Sequence, residues 1–282
     1  MSNTIYSATG CVRCKIAKKY MDSHGIAYED LDIKGDGMEA FRKFYGANRS
    51  SIHRGEEGLE FPIYTNGTEI RQGVGVVIAY LQAETKLDGY IRRSELLHGW
   101  IDGLHVSGGD PVQANEFISV LSFLKENGLK MKLDTNGKNA SLLEELLEQG
   151  LGDRIAMDIK GPAALYPTLL DEAVDSGEIE KSMSLVAKFP EYEFYTTIAP
   201  VVRQPGENLD ISYLTPEEVG ETAKSIEDAT GSKKHPYELR SFDPSVCEDE
   251  RLKSIEPLSP SEMFKYRTAA RRYMVMTEIE KK

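Results

Sequence analysis

The chain has 282 residues, of which 40% are hydrophobic, and it carries a formal net charge of −12 at pH 7. This length suits two ordinary domains, and the negative charge argues against a nucleic-acid partner, because phosphate binding needs clustered Lys and Arg. No stretch reaches the roughly 18 consecutive apolar residues of a membrane-spanning helix, so we expect no membrane partner. With only three cysteines and no visible signal peptide, the sequence predicts a cytoplasmic protein.

The first 85 residues predict a small domain of alternating strands and helices, in the order β-α-β-α-β-β-α. A hairpin is indicated by Asn66-Gly67 between two apolar runs, and the helices show apolar residues at helical spacing. The predicted strands cover residues 4–7, 27–33 and the two arms of the hairpin, and the predicted helices cover 14–23, 38–45 and 76–81.

Cys11 and Cys14 form a CxxC pair at the start of the first predicted helix. The helix dipole and the unpaired N–H groups at such a position stabilise a thiolate, and the nearby Arg13 and Lys15 act in the same direction. Cys11 is the more exposed position, so it is the expected nucleophile, and Cys14 resolves the mixed disulfide. Two alternatives are an interaction module with idle thiols and a metal-binding pair completed by another chain.

This domain resembles the glutaredoxin branch of the thioredoxin fold. The resemblance is carried by Tyr6-Ser7, Cys11-Val12-Arg13-Cys14-Lys15, Asp32 and Phe61-Pro62. It implies that Pro62 is a cis-proline facing the cysteine pair and part of the catalytic site. Val12-Arg13 replaces the usual Pro-Tyr, and no acid follows Gly73, which argues against glutathione binding.

From Gly103 onward, strands alternate with helices, which predicts a parallel sheet covered by helices. A short helix is expected at 90–100, between the two regions. The further predicted strands are 104–106, 130–133, 154–159, 193–199 and 237–242, and the predicted helices are 114–127, 141–149, part of 178–188, 212–229 and 259–278.

Polar motifs follow the predicted strands at their carboxyl ends, where α/β barrels place their ligand sites. Gly108 and Gly109 would let the backbone approach a ligand. The side chains that would bind a polar, zwitterionic small molecule are Asp110, Asp134, Asn136, Asp158 and Lys160.

These motifs together resemble the radical S-adenosylmethionine superfamily, in the branch that activates anaerobic ribonucleotide reductase and other glycyl radical enzymes. The matching segments are 106–111, 132–137, 155–162 and 194–200. The resemblance implies a partial barrel that binds S-adenosylmethionine. Gly108, Gly109 and Asp110 would then take its methionine amino group, and its ribose and carboxylate would be surrounded by Asp134, Asn136, Asp158 and Lys160. Ser107 is also among the expected cofactor-binding residues.

The CxxxCxxC motif of that superfamily is absent, because residues 84–102 contain no cysteine. An iron–sulfur cluster is therefore not expected in the usual position. We predict a glutaredoxin-like domain at 1–85, a linker at 86–102, and at 103–282 a partial barrel that lacks its first βα unit. The open sheet edge of such a barrel has to be covered by the N-terminal domain or by a second copy of the chain in a homodimer.

The third cysteine, Cys247, follows the last predicted strand. It is either an unpaired loop residue, a member of a three-thiol relay, or a member of a rebuilt metal site with Cys11 and Cys14.

The main hypothesis is a thiol–disulfide oxidoreductase that acts on a protein disulfide or a small molecule and carries a ligand-binding barrel remnant. The first alternative is a radical S-adenosylmethionine-type activating enzyme with a rebuilt iron–sulfur site. The second is a non-catalytic scaffold or ligand sensor beside a ribonucleotide reductase system.

Overall fold

The structure, a computed structural model, describes residues 3–55, 58–96, 99–170, 173–204, 210–247 and 249–281. The chain forms two compact units, Met1–Lys132 and Leu133–Lys282. Among the described residues, every helix is either too short or too polar to cross a membrane.

The N-terminal region contains the predicted elements in their predicted order, with one addition, a short hairpin of two strands, β3 and β4, between the second helix and the predicted hairpin. Its main sheet has four strands in the order β2-β1-β5-β6. β1 pairs in parallel with β2 and antiparallel with β5, and β5 pairs antiparallel with β6. The elements are β1 (Asn3–Ser7), α1 (Val12–Ser23), β2 (Tyr28–Asp32), α2 (Met38–Ala47), β3 (Arg54–Gly55), β4 (Gly58–Leu59), β5 (Ile63–Thr65), β6 (Ile70–Gln72) and α3 (Val74–Ala83).

The spacing of apolar residues explains how α1 packs. Its buried side chains include Ile16, Tyr20 and Met21; the last two follow Ile16 by four and five positions, so all three share one face of the helix. The hairpin forms at the predicted Asn66-Gly67, where the Asn66 carboxamide oxygen accepts the N–H of Thr68 at 3.0 Å. This is the local chemistry that favours Asn in turns.

The rest of the chain alternates strands and helices, and six strands form a parallel sheet in the order β14-β13-β10-β9-β8-β7. The predicted α/β class, a thioredoxin-like domain followed by a parallel sheet, is confirmed. The elements are β7 (Trp100–His105), α4 (Ala114–Glu126), β8 (Lys130–Thr135), α5 (Ala140–Glu148), β9 (Arg154–Asp158), α6 (Tyr166–Leu170), α7 (Ser176–Val186), β10 (Glu191–Ile198), β11 (Pro200–Gln204), β12 (Asp210–Tyr213), α8 (Pro216–Thr230), β13 (Tyr237–Ser241), α9 (Pro260–Ala270) and β14 (Thr277–Ile279).

The segment before β7 is not the short helix that the sequence predicted. Ile91 forms an antiparallel bridge with Leu104, and two backbone hydrogen bonds flank it, Arg92 N–H to Gly103 at 2.8 Å and His105 N–H to Tyr90 at 2.7 Å. Residues 97–98 of the predicted helix lie outside the described residues. The extended segment 90–92 therefore covers part of the outer edge of β7, which explains why it is not helical.

Two further elements differ from the prediction. The helix expected at 212–229 starts later, because Thr215 forms a capping box with Glu218 and Pro216 occupies the first turn, which fixes the helix start. Residues 210–213 instead form β12, which pairs antiparallel with β11. The last helix ends at Ala270, and β14 beyond it pairs in parallel with β13.

The boundary between the two compact units falls inside β8, between Lys132 and Leu133. Residues 86–96 include fully buried side chains, Leu87 and Tyr90 among them, so this stretch is a packed part of unit one. The predicted division into a domain, a linker and a partial barrel stays a prediction, with its boundaries at 1–85, 86–102 and 103–282. The absence of the first βα unit also stays a prediction.

Candidate functional site

The two cysteines of the CxxC motif lie at the start of α1 and form a disulfide bond with each other. Cys11 is the N-cap residue of the helix, and its Sγ accepts a hydrogen bond from the Cys14 N–H at 3.1 Å. Cys14 is 1% exposed, whereas Cys11 is half-buried and the adjacent Val12 is 64% exposed. Cys11 is therefore the accessible sulfur, and the helix N-terminus stabilises negative charge on it.

The turn that leads into Cys11 is held by Asp32, at the end of β2. The Asp32 carboxylate accepts hydrogen bonds from the hydroxyl of Thr9, from the Thr9 N–H at 3.2 Å and from the Lys34 N–H at 2.8 Å. The bond from the Thr9 hydroxyl, followed by the backbone bond from Lys34, lowers the pKa of Asp32. The ionised carboxylate thus ties the cysteine turn to the neighbouring strand.

The peptide bond between Phe61 and Pro62 is cis, as the resemblance implies. The Pro62 carbonyl accepts a hydrogen bond from the Gly73 N–H at 2.9 Å, and β5 begins at the next residue. β5 pairs with β1, the strand that leads to the cysteine turn. That Pro62 faces the cysteines and takes part in catalysis stays a prediction.

A buried ion pair involves Arg13, the residue next to Cys14, and the sequence analysis did not predict it. Arg13, which stands between the cysteines, donates from Nη1 to Glu60 Oε1 at 2.7 Å. Its Nη2 donates to the backbone carbonyls of Leu96 and Trp100, both at 2.5 Å. Arg13 was expected to act on the thiolate as a nearby cation, but here its charge is paired. The two partners are 47 positions apart, so no local pattern could link them.

The glycine loop that follows β7 packs tightly against the chain just before that strand. A Cβ atom at Gly108 would lie 2.4 Å from the Gly89 carbonyl oxygen, and one at Gly109 would lie 2.0 Å from the ring of Tyr90. The Tyr90 ring is fully buried and stacks on Phe117 with 4.6 Å between the ring centroids. Close packing is therefore a sufficient physical reason for both glycines, and their role in ligand binding, like that of Ser107, stays a prediction.

Asp110 ends this loop and caps the 3₁₀ turn at Pro111–Gln113. Its Oδ1 accepts a hydrogen bond from the Val112 N–H at 3.0 Å, and its backbone carbonyl accepts one from the Tyr90 hydroxyl, also at 3.0 Å. One carboxylate oxygen is therefore engaged in local structure. The Asp110 carboxylate therefore has less hydrogen-bonding capacity left for the amino group that the prediction assigned to it.

In unit two, the predicted ligand residues lie at the ends of β8 and β9. Asp158 forms an ion pair with Lys160 at 2.5 Å, and its Oδ1 is buried without a hydrogen-bond partner among the described residues. Asn136 follows β8, and its side-chain oxygen accepts the Lys138 N–H at 3.2 Å. A buried carboxylate oxygen without a partner is costly, so it marks a place where a polar ligand group would be accommodated.

Two residues that the prediction did not include in the site extend this polar surface. Tyr195 on β10 is in register with Asp158 on β9, and the Arg240 guanidinium lies 3.6 Å from the centroid of the Tyr195 ring. Burial raises the pKa of Tyr195, and the carboxylates of Asp158 and Asp134 raise it further. Tyr195 therefore stays protonated. The alternation of side chains along each strand was visible in the sequence. That Tyr195 lies beside Asp158, however, depends on the register of the sheet.

Cys247 is a free, half-buried thiol in unit two, after the 3₁₀ turn Pro244–Val246, and its Sγ lies 3.8 Å from the Asp249 carbonyl oxygen. Within the described ranges, no three His, Cys, Asp or Glu side chains are grouped so as to hold a metal ion. Cys11 and Cys14 are bonded to each other here, and the suggested metal set of Cys11, Cys14 and Cys247 stays a prediction.

The two implied cofactors fit the residues present to different degrees. Asp158, with its unpartnered oxygen, and the neighbouring Lys160 fit the charged groups of S-adenosylmethionine. The residues do not fit an iron–sulfur cluster in the usual position, since the sequence has three cysteines, two of which share a disulfide.

Comparison with known proteins supports both parts of the interpretation. Residues 3–48 match the family model described as glutaredoxin. A protein of Methanocaldococcus jannaschii, provisionally named a glycyl-radical enzyme activating enzyme, is 27% identical over 179 residues, which cover 61% of this chain and 68% of the relative. The chain thus contains a glutaredoxin domain at its N-terminus and is homologous to this relative, in agreement with the motifs.

Two solved structures are similar at lower identity. A domain of pyruvate-formate lyase-activating enzyme from Bacteroides vulgatus has a TM-score of 0.43 and 15% identity, over 63% of this chain and 98% of that domain. Coproporphyrinogen III oxidase from Escherichia coli, described as a radical SAM enzyme, has a TM-score of 0.40 and 16% identity, over 62% of this chain and 41% of the oxidase.

Proposed function

We propose that this protein is a cytoplasmic thiol–disulfide oxidoreductase whose exchanging pair is Cys11 and Cys14. The observation that carries the proposal is the geometry of that pair. An accessible sulfur caps a helix and accepts the Cys14 N–H, and the second sulfur is buried one turn further along. The glutaredoxin match over residues 3–48 supports the same reaction class.

The reaction runs in two balanced steps. In the reduced protein, the Cys11 thiolate attacks one sulfur of a substrate disulfide, which forms a mixed disulfide and releases the other substrate sulfur as a thiolate. Cys14, after losing its proton, attacks the Cys11 sulfur, which forms the bond seen here and releases the second substrate thiolate. Two electrons pass to the substrate, and a small thiol or another dithiol protein returns them.

Single cysteine variants test this proposal. Cys11→Ser removes the nucleophile and should abolish reduction of protein disulfides. Cys14→Ser leaves the first step intact, so it should accumulate a mixed disulfide on Cys11 that intact-mass spectrometry detects. Cys247→Ser is the matched control and should behave as the wild type, because this thiol lies outside the CxxC motif. Full activity in both Cys11→Ser and Cys14→Ser would remove the proposal.

The second candidate is a role in activating a glycyl-radical enzyme, and it rests on the homology to the Methanocaldococcus jannaschii protein. In that role, unit two would bind S-adenosylmethionine through Asp134, Asn136, Asp158 and Lys160, and a glycyl-radical enzyme such as an anaerobic ribonucleotide reductase would be the partner. S-adenosylmethionine brings the sulfonium chemistry, and the chain's own residues hold its charged groups.

Calorimetry with S-adenosylmethionine tests this candidate. We expect saturable binding that weakens in Asp158→Asn, because the amide cannot replace the anionic oxygen that lacks a partner. Lys181→Gln, which removes an exposed ion pair with Glu144, is the control and should bind as the wild type does. Absence of heat in the wild-type protein would leave a scaffold role beside the dithiol activity.

A further inference from the structure

The Arg13–Glu60 ion pair is unusual for its burial next to a reactive cysteine. Both side chains are only 11% exposed, and Arg13 lies within the ring that the Cys11–Cys14 disulfide closes. Most ion pairs among the residues that the structure describes have at least one partner more than a quarter exposed, as Lys18 and Asp30 do at 26% and 37%. Charges in a low-dielectric setting interact over longer distances than exposed ones.

The Glu60 carboxylate lies in a slot beside Gly73, where any larger residue at position 73 would clash with it. A Cβ atom at Gly73 would lie 2.9 Å from Oε1 and 3.0 Å from Oε2, and Gly73 has a φ of +92°, which side chains rarely adopt. Oε2 is buried and has no hydrogen-bond partner among the described residues. Burial raises the pKa of Glu60, and the Arg13 charge and hydrogen bond oppose that rise.

Arg13 is held as firmly as its partner. Its guanidinium contacts Glu60 through Nη1 and the carbonyls of Leu96 and Trp100 through Nη2, so it cannot turn toward a sulfur atom without breaking these bonds. Two further charges of opposite sign, Arg93 and Asp102, act on Glu60. The net charge beside the dithiol therefore depends on whether Arg13 is compensated.

We propose that Glu60 is a positioning residue for the dithiol: by holding Arg13 and cancelling its charge, it keeps Cys11 less acidic and the disulfide less oxidising. This inference rests on the proposed dithiol function and names what regulates that site. Reduction of the Cys11–Cys14 bond takes two electrons and up to two protons and leaves Cys11 partly as a thiolate. An uncompensated cation nearby would stabilise that thiolate and so favour the reduced form.

In Glu60→Gln, the amide oxygen still accepts from Arg13, but the negative charge is gone, so the Cys11 pKa should fall. We expect a change of about tenfold in the equilibrium with glutathione, which corresponds to about 30 mV in the reduction potential. In the double variant Arg13→Gln with Glu60→Gln, no net charge remains, and both quantities should return close to their wild-type values.

The experiment measures the pH dependence of Cys11 alkylation by iodoacetamide and the potential in glutathione redox buffers. Arg71→Gln is the matched control, because Arg71 is 14% exposed and pairs with Glu69 and Asp88 rather than with Glu60. A shift in Glu60→Gln that the double variant reverses supports the proposal. An unshifted Glu60→Gln, or an equal shift in the double variant, overturns it, since a purely structural defect would persist or grow in the double variant.

This test separates the inference from the proposed function. A wild-type protein without a reversible dithiol–disulfide couple would contradict the function itself. A reversible couple whose potential ignores Glu60 would contradict only the present inference. Circular dichroism of each variant shows whether it has folded, and the isosteric Gln at position 60 keeps the shape that the slot beside Gly73 requires.

Discussion

Replacing Gly109 with alanine should destabilise unit one, because the new methyl group would overlap the ring of Tyr90. The ideal Cβ position lies 2.0, 2.1 and 2.5 Å from three ring atoms of that side chain. Carbon atoms prefer a separation of roughly 3.5–4.0 Å, so the ring or the loop has to move by about 1.5 Å. The Tyr90 ring is fully buried and stacked on Phe117, which leaves little room for that movement.

The expected loss of stability lies at the upper end of the range for overpacked cores, at about 3 kcal/mol. Removing the ring changes this result. Tyr90→Ala alone should cost about 3–5 kcal/mol because it leaves a large cavity. In that background, adding Gly109→Ala should cost less than about 0.5 kcal/mol, so the double-mutant cycle should show a coupling of about 2.5 kcal/mol.

Urea unfolding followed by the fluorescence of Trp100, the single tryptophan of the chain, measures the stability of unit one. Gly46→Ala is the control. Gly46 lies in α2 with nothing within 4 Å of an added Cβ, so alanine there should be neutral or stabilise by about 0.5–1 kcal/mol. If Gly109→Ala and Gly46→Ala have the same effect, the close packing of the loop against Tyr90 is not the reason for glycine at position 109.

Two further predictions concern local structure and pH. Thr215→Ala should lower the stability of unit two by about 1 kcal/mol, because it removes the capping box of α8. An unchanged urea midpoint would show that the cap contributes nothing. For Asp102, burial raises the pKa, but hydrogen bonds from Leu96 N–H, Ser94 Oγ and Glu95 N–H outweigh it, so the pKa is lowered. The stability that Asp102 contributes is therefore present above the ordinary carboxyl pKa of about 3.9 and lost as pH falls through the lowered value. Acid titration of Asp102→Asn should accordingly show a smaller loss of stability below about pH 4 than the wild type, and identical acid curves would contradict this assignment.

The order of elements could be predicted because it depends on local signals. Asn66-Gly67 marked the hairpin, and Thr215-Pro216 marked the start of α8. The CxxC pair could likewise be placed at a helix N-terminus, where the disulfide is found. Each of these features is set by residues a few positions apart.

Features that depend on distant partners could not be predicted in this way. Glu60 looks like any polar residue before a hairpin until Arg13 is placed against it. The segment 90–92 has the composition of a short helix, but pairing with β7 gives its backbone groups partners that the helix would otherwise supply. The position of β14 was missed for the same reason, since only the parallel pairing with β13 distinguishes it from a continuation of α9.

The pairing of residues 90–92 with β7 also decides how this protein can be divided. A fragment that starts at residue 103 would expose the peptide groups of Gly103 and His105 that Arg92 and Tyr90 now occupy. Free strand edges of this kind recruit other strands, so such a fragment is expected to assemble into intermolecular sheets and precipitate. Soluble expression of a fragment that begins near β7 therefore requires a start upstream of Leu87. Any fusion or exchange that separates the N-terminal domain from the parallel sheet has to carry this short segment along with β7.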